Sequence, residues 1–350
     1  ASIAYEKMMR EIFLECRRAL KNDGLMSLMF THKSQKAWEA LTQSLIESGW
    51  EITASFPVES EFGGSMHQKD LAAAASSIFI ACRKRPLEND IPASWTGLGG
   101  QGVQHRIREA VVDGLREFEP LRLNPVDEMV ASYGRALHVL SQNWPVMDGD
   151  EQVSPIRAMN EASRVVAESQ IRRITDGRLR VEDLDPETAI ALTLLGVYGL
   201  NELPYDEALN LSRSLGIRLE GKTGGYRIEP GQSFIGINQD AGGRSRGARA
   251  EDTGYAAPLV RKGSKLRLAL PGERDPRRLE RPQTDWDRLH GLLLGYRRGD
   301  LPVARKYLDD HASDHTSRIL DLLEVWAREM DDDGARQEAE NLLFGLRQMH

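Results

Sequence analysis

Polar residues directly follow two of the strands that the sequence predicts, and they are the first candidates for chemistry. The run Leu25–Phe30 is short and almost wholly apolar, which is typical of a parallel strand buried on both faces. Open α/β sheets bind ligands at the carboxyl ends of such strands. The substrate-side candidates after this strand and the next are Thr31, His32, Lys33, Glu59 and Ser60. The alternative is that these are ordinary polar residues of solvated loops.

A second group of candidates is basic. Residues 244–281 carry a local charge of +6, from eleven Lys or Arg and five Asp or Glu, whereas the whole chain carries −7. The rest therefore sums to −13, which argues against a generally basic nucleic-acid coat and indicates one basic segment on an acidic body. The candidates for contacts with DNA phosphates are Arg244, Arg246, Arg249, Arg261, Lys262, Lys265 and Arg267. The alternative is a solvated hairpin beside an Arg/Gly-rich loop.

No pattern in the sequence predicts a metal centre. His311 and His315 are four residues apart, as zinc ligands can be, but no H-E-x-x-H motif and no cysteine pair accompanies them. The Gly-rich run 97–102 follows no predicted strand and is interpreted as linker. Two cysteines are too few for a disulfide framework, which favours a reducing cytoplasm. No run of 18 apolar residues predicts a membrane span.

The elements that would position these candidates change character along the chain. Residues 1–85 alternate helix, strand, helix, strand, strand, which predicts part of an open α/β sheet whose last two strands are antiparallel. Residues 86–103 are interpreted as a linker. Residues 104–284 form a helical domain that includes a basic loop and hairpin (221–270), and residues 285–350 form a C-terminal helical segment.

Within the helical domain, a helix over 205–215 precedes a basic hairpin over 256–270. A short helix followed by such a hairpin resembles a winged helix, in which the cations of the wing contact phosphates. The Gly- and Arg-rich stretch 221–254 is predicted to be an irregular loop. The predicted fold class is therefore α/β plus mostly α.

Five segments resemble one protein family. They are YEKMMREIFLECRRALKNDG (5–24), LMSLMFTHK (25–33), ASSIFIACRK (75–84), NELPYDEA (201–208) and LVRKGSK (259–265). Together and in this order they resemble the C-terminal part of a family of large adenine-specific DNA methylases, which carry a conserved domain of unknown function and often occur in anti-phage defence clusters. The resemblance implies that the opening α/β unit is the distal half of a Rossmann-like methyltransferase sheet with an antiparallel last strand. It also implies that Thr31, His32 and Lys33 line the target-base site.

The motifs that perform the chemistry in that family are absent from this sequence. No D-P-P-Y or N-P-P-Y and no F-x-G-x-G occurs, so neither the amine-binding turn nor the turn that binds S-adenosylmethionine is present. We therefore expect a fragment or subunit that is inactive alone and does not bind S-adenosylmethionine alone. DNA is the expected partner, together with a separate chain that carries the N-terminal methyltransferase half.

Two alternatives stay open. The chain can be a non-catalytic DNA-binding or scaffold subunit of a defence or modification complex, in which the sheet serves only as an assembly surface. A weaker alternative is an unrelated helical interaction protein.

Overall fold

The computed structural model describes residues 2–30, 35–59, 76–86, 91–123, 125–215, 217–220, 228–229, 232–239 and 257–348. The chain divides into two compact units, Ala1–Val166 and Ala167–His350. Most of the secondary structure is helical, and small sheets are also present. The predicted class of α/β plus mostly α is therefore confirmed. Among the described helices, none combines the length and the apolar character that crossing a bilayer requires.

The first unit contains the predicted α/β beginning and the helices that pack with it. Its elements are α1 (Ser2–Ala19), β1 (Met26–Phe30), α2 (Gln35–Glu47), β2 (Trp50–Glu59), β3 (Ser76–Lys84), β4 (Ala93–Ser94), α3 (Val103–Phe118), α4 (Pro125–Gln142), β5 (Val146–Asp148), β6 (Glu151–Gln152) and the first part of α5 (Pro155–Ile174). Because α4 packs on β2 and β3, this unit extends beyond residue 85.

Strands β1, β3 and β2 form one sheet in that order. Strand β3 lies between the others and is antiparallel to both, so β1 and β2 run in the same direction. The predicted antiparallel pairing of the last two strands is confirmed. The prediction that β1 is a parallel strand buried on both faces is wrong, because its neighbour is antiparallel and its residues alternate between half-buried and exposed. A strand with one covered face shows that alternation.

One face of this sheet is covered by a core of large side chains. Phe30 on β1 meets Trp38 on α2 edge to face, with the ring centroids 5.0 Å apart, and Trp38 in turn contacts Tyr133 on α4. Trp50 is fully buried, and its indole N–H donates to the carbonyl of Phe13 on α1. Aromatic side chains thus fix α1, α2 and α4 around the sheet, because such contacts bury large apolar areas.

The stretch interpreted as linker belongs to the first unit. Strand β4 pairs in parallel with β5, and β5 pairs antiparallel with β6. Trp95 directly after β4 is 2 % exposed, and the Arg157 guanidinium lies over its ring at 5.0 Å. Two-residue strands are too short to produce a periodic pattern, and for that reason the sequence did not reveal β4.

The second unit combines helices with a six-stranded sheet. Its elements are α6 (Pro186–Tyr198), β7 (Leu203–Pro204), α7 (Tyr205–Ser214), β8 (Ile217–Glu220), β9 (Ile228–Glu229), β10 (Gln232–Gln239), β11 (Leu259–Lys262), β12 (Lys265–Leu268), α8 (Pro276–Leu279), α9 (Asp285–Ala312), α10 (Thr316–Glu329) and α11 (Asp333–Arg347). The predicted helix over 205–215 and the predicted hairpin, which is β11–β12, are confirmed.

The sheet of the second unit has the order β7-β12-β11-β10-β8, and β9 pairs with β10. Strand β10 is parallel to both β11 and β8. Strands β8, β9 and β10 therefore lie in the chain between α7 and the hairpin, and β9 and β10 fall within the stretch predicted to be an irregular loop. Glycine is depleted in strands, and the glycines within and around β9 and β10 account for this error.

Candidate functional site

The substrate-side candidates end or follow β1 and β2 in the chain, and most of them lie outside the described residues. Thr31, His32, Lys33 and Ser60 lie outside the described residues. Glu59 is the last residue of β2, and its backbone pairs with Ser76 at the start of β3. The prediction that these residues contact substrate therefore stays a prediction.

The outer edge of β2 is closed by helix α4. The backbone N–H of Ile52 donates to Ser141 Oγ at 2.9 Å, and His138 Nδ1 donates to the Ile52 carbonyl. Gly134, one turn earlier on the same side of the helix, permits the close approach, since a Cβ there would lie 2.1 Å from Ser55 Oγ. At Ile52 the edge groups of β2 are thus satisfied by a helix and are not available to another strand.

The outer edge of β1 is different. Within the part of the chain that the structure describes, no strand pairs with it. Its sequence, MSLMF, has none of the lysines or prolines with which natural edge strands avoid pairing. Met29 on β1, Phe79 on β3 and Phe56 on β2 are register partners across the sheet, and they are 59 %, 39 % and 54 % exposed. In the described structure, this end of the sheet thus combines a strand edge without a strand partner and an exposed apolar row, which are typical of an association surface.

Four of the seven basic candidates lie in the β11–β12 hairpin, and the other three lie outside the described residues. Arg244, Arg246 and Arg249 lie outside the described residues. Lys262 pairs with Lys265, and Val260 pairs with Arg267, across the hairpin. Because successive side chains of a strand point to opposite faces, these three cations share one face. They line a shallow hollow together with Glu202.

Arg261 lies on the other face of the hairpin and holds its turn in place. Its guanidinium lies 4.0 Å from the ring centroid of Tyr205, the first residue of α7, and its Nε donates to the Gly263 carbonyl. The Tyr205 N–H donates to the Ser264 carbonyl at 2.8 Å. Gly263 has a φ of +61°, which suits the first position of a two-residue hairpin turn. Arg261 is thus a structural residue that fixes the turn against α7.

Carboxylates within the chain partly neutralise the basic face. Lys265 Nζ lies 3.0 Å from Glu202 Oε2, and Arg267 donates two hydrogen bonds to Glu273. Burial alone would raise the pKa of the Glu273 carboxyl, but hydrogen bonds from Arg267 and from the Leu270 N–H lower it. Arg267 is therefore held in a charge-assisted, bidentate pair, whereas Lys262 and Lys265 are the cations at the exposed end of the hollow.

The Gly-rich run 97–102 has a different setting from the one predicted. It follows β4 and leads into α3, so the prediction that no strand precedes it is wrong. Gly97 and Gly99 have φ values of +65° and +63°, and a Cβ on Gly102 would lie 2.2 Å from the Trp95 carbonyl oxygen. The amino terminus of a helix favours anions. Among the described residues, however, no buried polar side chain without a partner points to a ligand there.

Residues 216–223 match the phosphate-loop pattern G-x-x-x-x-G-K-[ST], which was not among the sequence candidates. A phosphate loop is an irregular turn between a strand and a helix. Here the four central residues form strand β8, which pairs with β10. The match therefore does not indicate a nucleotide site.

A buried ionic network in the second unit was also missed. Arg274 and Asp287 have fully buried side chains that form an ion pair with a nitrogen–oxygen distance of 2.5 Å. Glu187 at the start of α6 lies 3.6 Å from Arg274, and Arg278 donates to Asp287. His290 Nδ1 lies 3.3 Å from the Arg274 guanidinium, which can only donate, so Nδ1 accepts and Nε2 carries the proton. The signal in the sequence that could have revealed the network was a polar residue within the apolar stripe of α9.

Burial determines how this network titrates. It lowers the pKa of His290 well below its usual value, with a further contribution from the Arg274 charge, so the ring is neutral. Burial also raises the pKa of Glu187 to about 8, and repulsion from Asp287 adds to this effect. Because the network is enclosed, its groups cannot reach a substrate, and we interpret it as the structural connection between α6 and α9.

The raised pKa of Glu187 predicts a loss of stability as the pH rises. The unfolded chain releases this proton near pH 4.5 and the folded chain near pH 8, so the stability present at low pH is lost between these values. We expect the melting temperature of the protein to fall by several degrees relative to that of Glu187→Gln between about pH 5 and pH 8. If the difference in melting temperature between the two proteins stays constant from pH 5 to pH 8, the raised pKa of Glu187 is contradicted.

Metal ligation has no geometric support in the described part of the chain. No group of three or more His, Cys, Asp or Glu there is arranged to hold a metal ion. The His311 ring lies 4.7 Å from the Tyr307 ring, and His315 Nδ1 lies 3.0 Å from Asp285. The two histidines therefore have separate structural contacts.

Comparisons with known proteins identify no relative. No protein-family model matches the chain, and no curated protein and no solved structure shows a significant match to it.

Proposed function

We propose that this chain is the C-terminal portion, or a separate subunit, of an S-adenosylmethionine-dependent DNA adenine methyltransferase. The observation that carries the proposal is the inequality of the two sheet edges. Helix α4 satisfies the backbone of Ile52 at the outer edge of β2, whereas among the described residues no strand pairs with the outer edge of β1, beside an exposed apolar row. The strand order β1-β3-β2, with β3 antiparallel to both neighbours, is what the distal half of a Rossmann-like methyltransferase sheet requires. The missing half would continue the sheet at β1.

The residues of this chain do not fit S-adenosylmethionine by themselves. A cofactor site of the expected kind requires a Gly-rich turn at the carboxyl end of a strand in this sheet. The residues after β1 are Thr31, His32, Lys33 and Ser34, which include no glycine, and Gly63 and Gly64 after β2 do not form the F-x-G-x-G pattern. We therefore assign cofactor binding and amine binding to the partner half, and to this chain the completion of the sheet and contacts with DNA.

The decisive experiment combines this chain with the polypeptide encoded immediately upstream, provided that it carries D-P-P-Y and a Gly-rich turn. We expect each chain alone to give background transfer of labelled methyl groups to adenine in duplex DNA, and the mixture to give transfer well above background. Activity or S-adenosylmethionine binding by this chain alone, or an inactive mixture, would refute the proposal.

A matched pair of variants tests whether the sheet is the assembly surface. Met29→Lys places a charge in the exposed apolar row, and we expect it to abolish restoration of activity. Phe344→Lys changes an equally exposed apolar residue of α11, which is 66 % exposed, and should leave restoration intact. Equal effects of the two substitutions would exclude the β1 end of the sheet as the contact.

The absence of both catalytic motifs favours a second candidate, a non-catalytic DNA-binding or scaffold subunit. The cations of the β11–β12 hairpin support this candidate as well as the first, and α7 with the hairpin would then serve as a winged-helix-like module. DNA binding that weakens with salt, without restored methyl transfer by any upstream chain, would favour this candidate.

A further inference from the structure

The face of the hairpin that carries Lys262, Lys265 and Arg267 also holds a carboxylate, Glu202, which would compete with an anionic ligand for these cations. Glu202 directly precedes β7, and continuing the pairing of Lys265 with Pro204 and of Leu266 with Leu203 places it opposite Arg267. Its carboxylate forms an ion pair with Lys265 at 3.0 Å, while Arg267 is engaged with Glu273. A carboxylate thus occupies the position beside Lys265 in a hollow otherwise lined by Lys262, Arg267 and apolar side chains.

Two features make this carboxylate replaceable. Glu202 and Lys265 are 40 % and 47 % exposed, and exposed ion pairs contribute little to stability. Lys262 stands directly opposite Lys265, and like charges in that position repel each other. Glu202 reduces this repulsion. A phosphodiester carries the same single negative charge as Glu202, but it belongs to a polyanionic backbone, and a phosphate in contact with both lysines would reduce the repulsion further than the contact with Lys265 alone.

We propose that the hollow formed by Lys262, Lys265 and Arg267 binds one phosphodiester group of DNA, and that Glu202 is an internal competitor that the phosphate displaces from Lys265. This inference rests on the proposed function for the identity of the ligand. Phosphate groups favour clustered cations, and they carry no sequence information, so the site would position DNA rather than read it. Glu202 would then lower the affinity for DNA at this site and disfavour weak, non-specific binding.

The test is a double-mutant cycle on the full chain, with the dissociation constant for duplex DNA measured at low ionic strength. We expect Glu202→Gln to tighten binding about 3- to 10-fold. In a Lys265→Gln background the same substitution should have no effect, because the competition requires Lys265. Glu280→Gln removes a charge from an exposed residue of the same unit and should change affinity less than about twofold.

Three results would overturn the inference. They are an unchanged or weaker affinity of Glu202→Gln, a gain that persists in the Lys265→Gln background, and an equal gain in Glu280→Gln. Titration with inorganic phosphate at constant ionic strength separates the two sources of the ligand. Binding of phosphate without binding of DNA would also overturn the inference, but would leave the methyltransferase proposal to the transfer assay, which does not depend on Glu202.

Discussion

Replacing Asp287 by alanine is expected to lower the free energy of unfolding of the second unit by about 3–5 kcal/mol, the usual cost of removing one partner from a buried ion pair. Asp287 is fully buried and accepts hydrogen bonds from Arg274, Arg278 and the Gln283 N–H. Without it, the buried Arg274 guanidinium loses its 2.5 Å ion pair and keeps weaker contacts, which include Glu187 at 3.6 Å and the neutral His290 Nδ1 at 3.3 Å. The loss falls toward the lower end if Glu187 ionises more readily once its repulsion by Asp287 is removed.

Hydrogen exchange of the α9 amides measures this loss in the second unit alone. Asp309→Ala, on the same helix, removes an exposed carboxylate that pairs with Arg305, and should cost less than about 0.5 kcal/mol. Similar losses of free energy of unfolding in the two variants would show that the buried Asp287 pair does not contribute more to stability than an exposed ion pair. The pH series on Asp287→Ala should also show Glu187 titrating at a lower pH than in the unchanged protein, because one source of its raised pKa is gone.

Gly134→Ala is expected to destabilise the first unit by about 1–3 kcal/mol, the range for overpacking a close contact. The added methyl group would lie 2.1 Å from Ser55 Oγ and 2.3 Å from Ser55 Cβ, so α4 must move away from β2. That movement would also weaken the bonds from His138 and Ser141 to the Ile52 backbone. Faster hydrogen exchange of β2 would report the change directly.

The structure supplies a specific suppressor for this defect. Ser55→Gly removes the atoms that the new methyl group would meet, so Gly134→Ala should cost much less in that background. Gly114→Ala on α3 is the matched control, since its methyl group would meet only the flexible side chain of Arg135, at 2.9 Å. If Ser55→Gly does not reduce the cost, the close contact between α4 and β2 is not its cause.

The sequence predicted elements well where the signal is local. Periodic apolar residues predicted the C-terminal helical segment, which contains α9, α10 and α11, and the turn residues between β11 and β12 located the hairpin. The error at β1 has a clear reason. Its residues are apolar enough for burial on both faces, but only one face is covered in the described structure, so composition alone could not determine its neighbours.

The parts that escaped sequence reasoning depend on distant residues. Glu187 and Asp287 are a hundred positions apart, and neither has a neighbour in the chain that reveals the Arg274 pair. The pairing of Lys265 with Glu202 likewise arises only when β7 joins the sheet. Charge counting identified the basic segment, but it could not show that two of the four described hairpin candidates, Lys265 and Arg267, are held by carboxylates of the same chain.

The attachment of the hairpin turn to α7 affects how tightly the hairpin could bind an anion. Tyr205 holds Ser264 through its backbone and Arg261 through its ring, so the turn has few conformations left to lose. Ordering a loose loop would oppose complex formation through lost entropy, whereas a preorganised turn avoids that cost. Loosening it by Tyr205→Ala would therefore weaken capture even though every cation of the hairpin is retained.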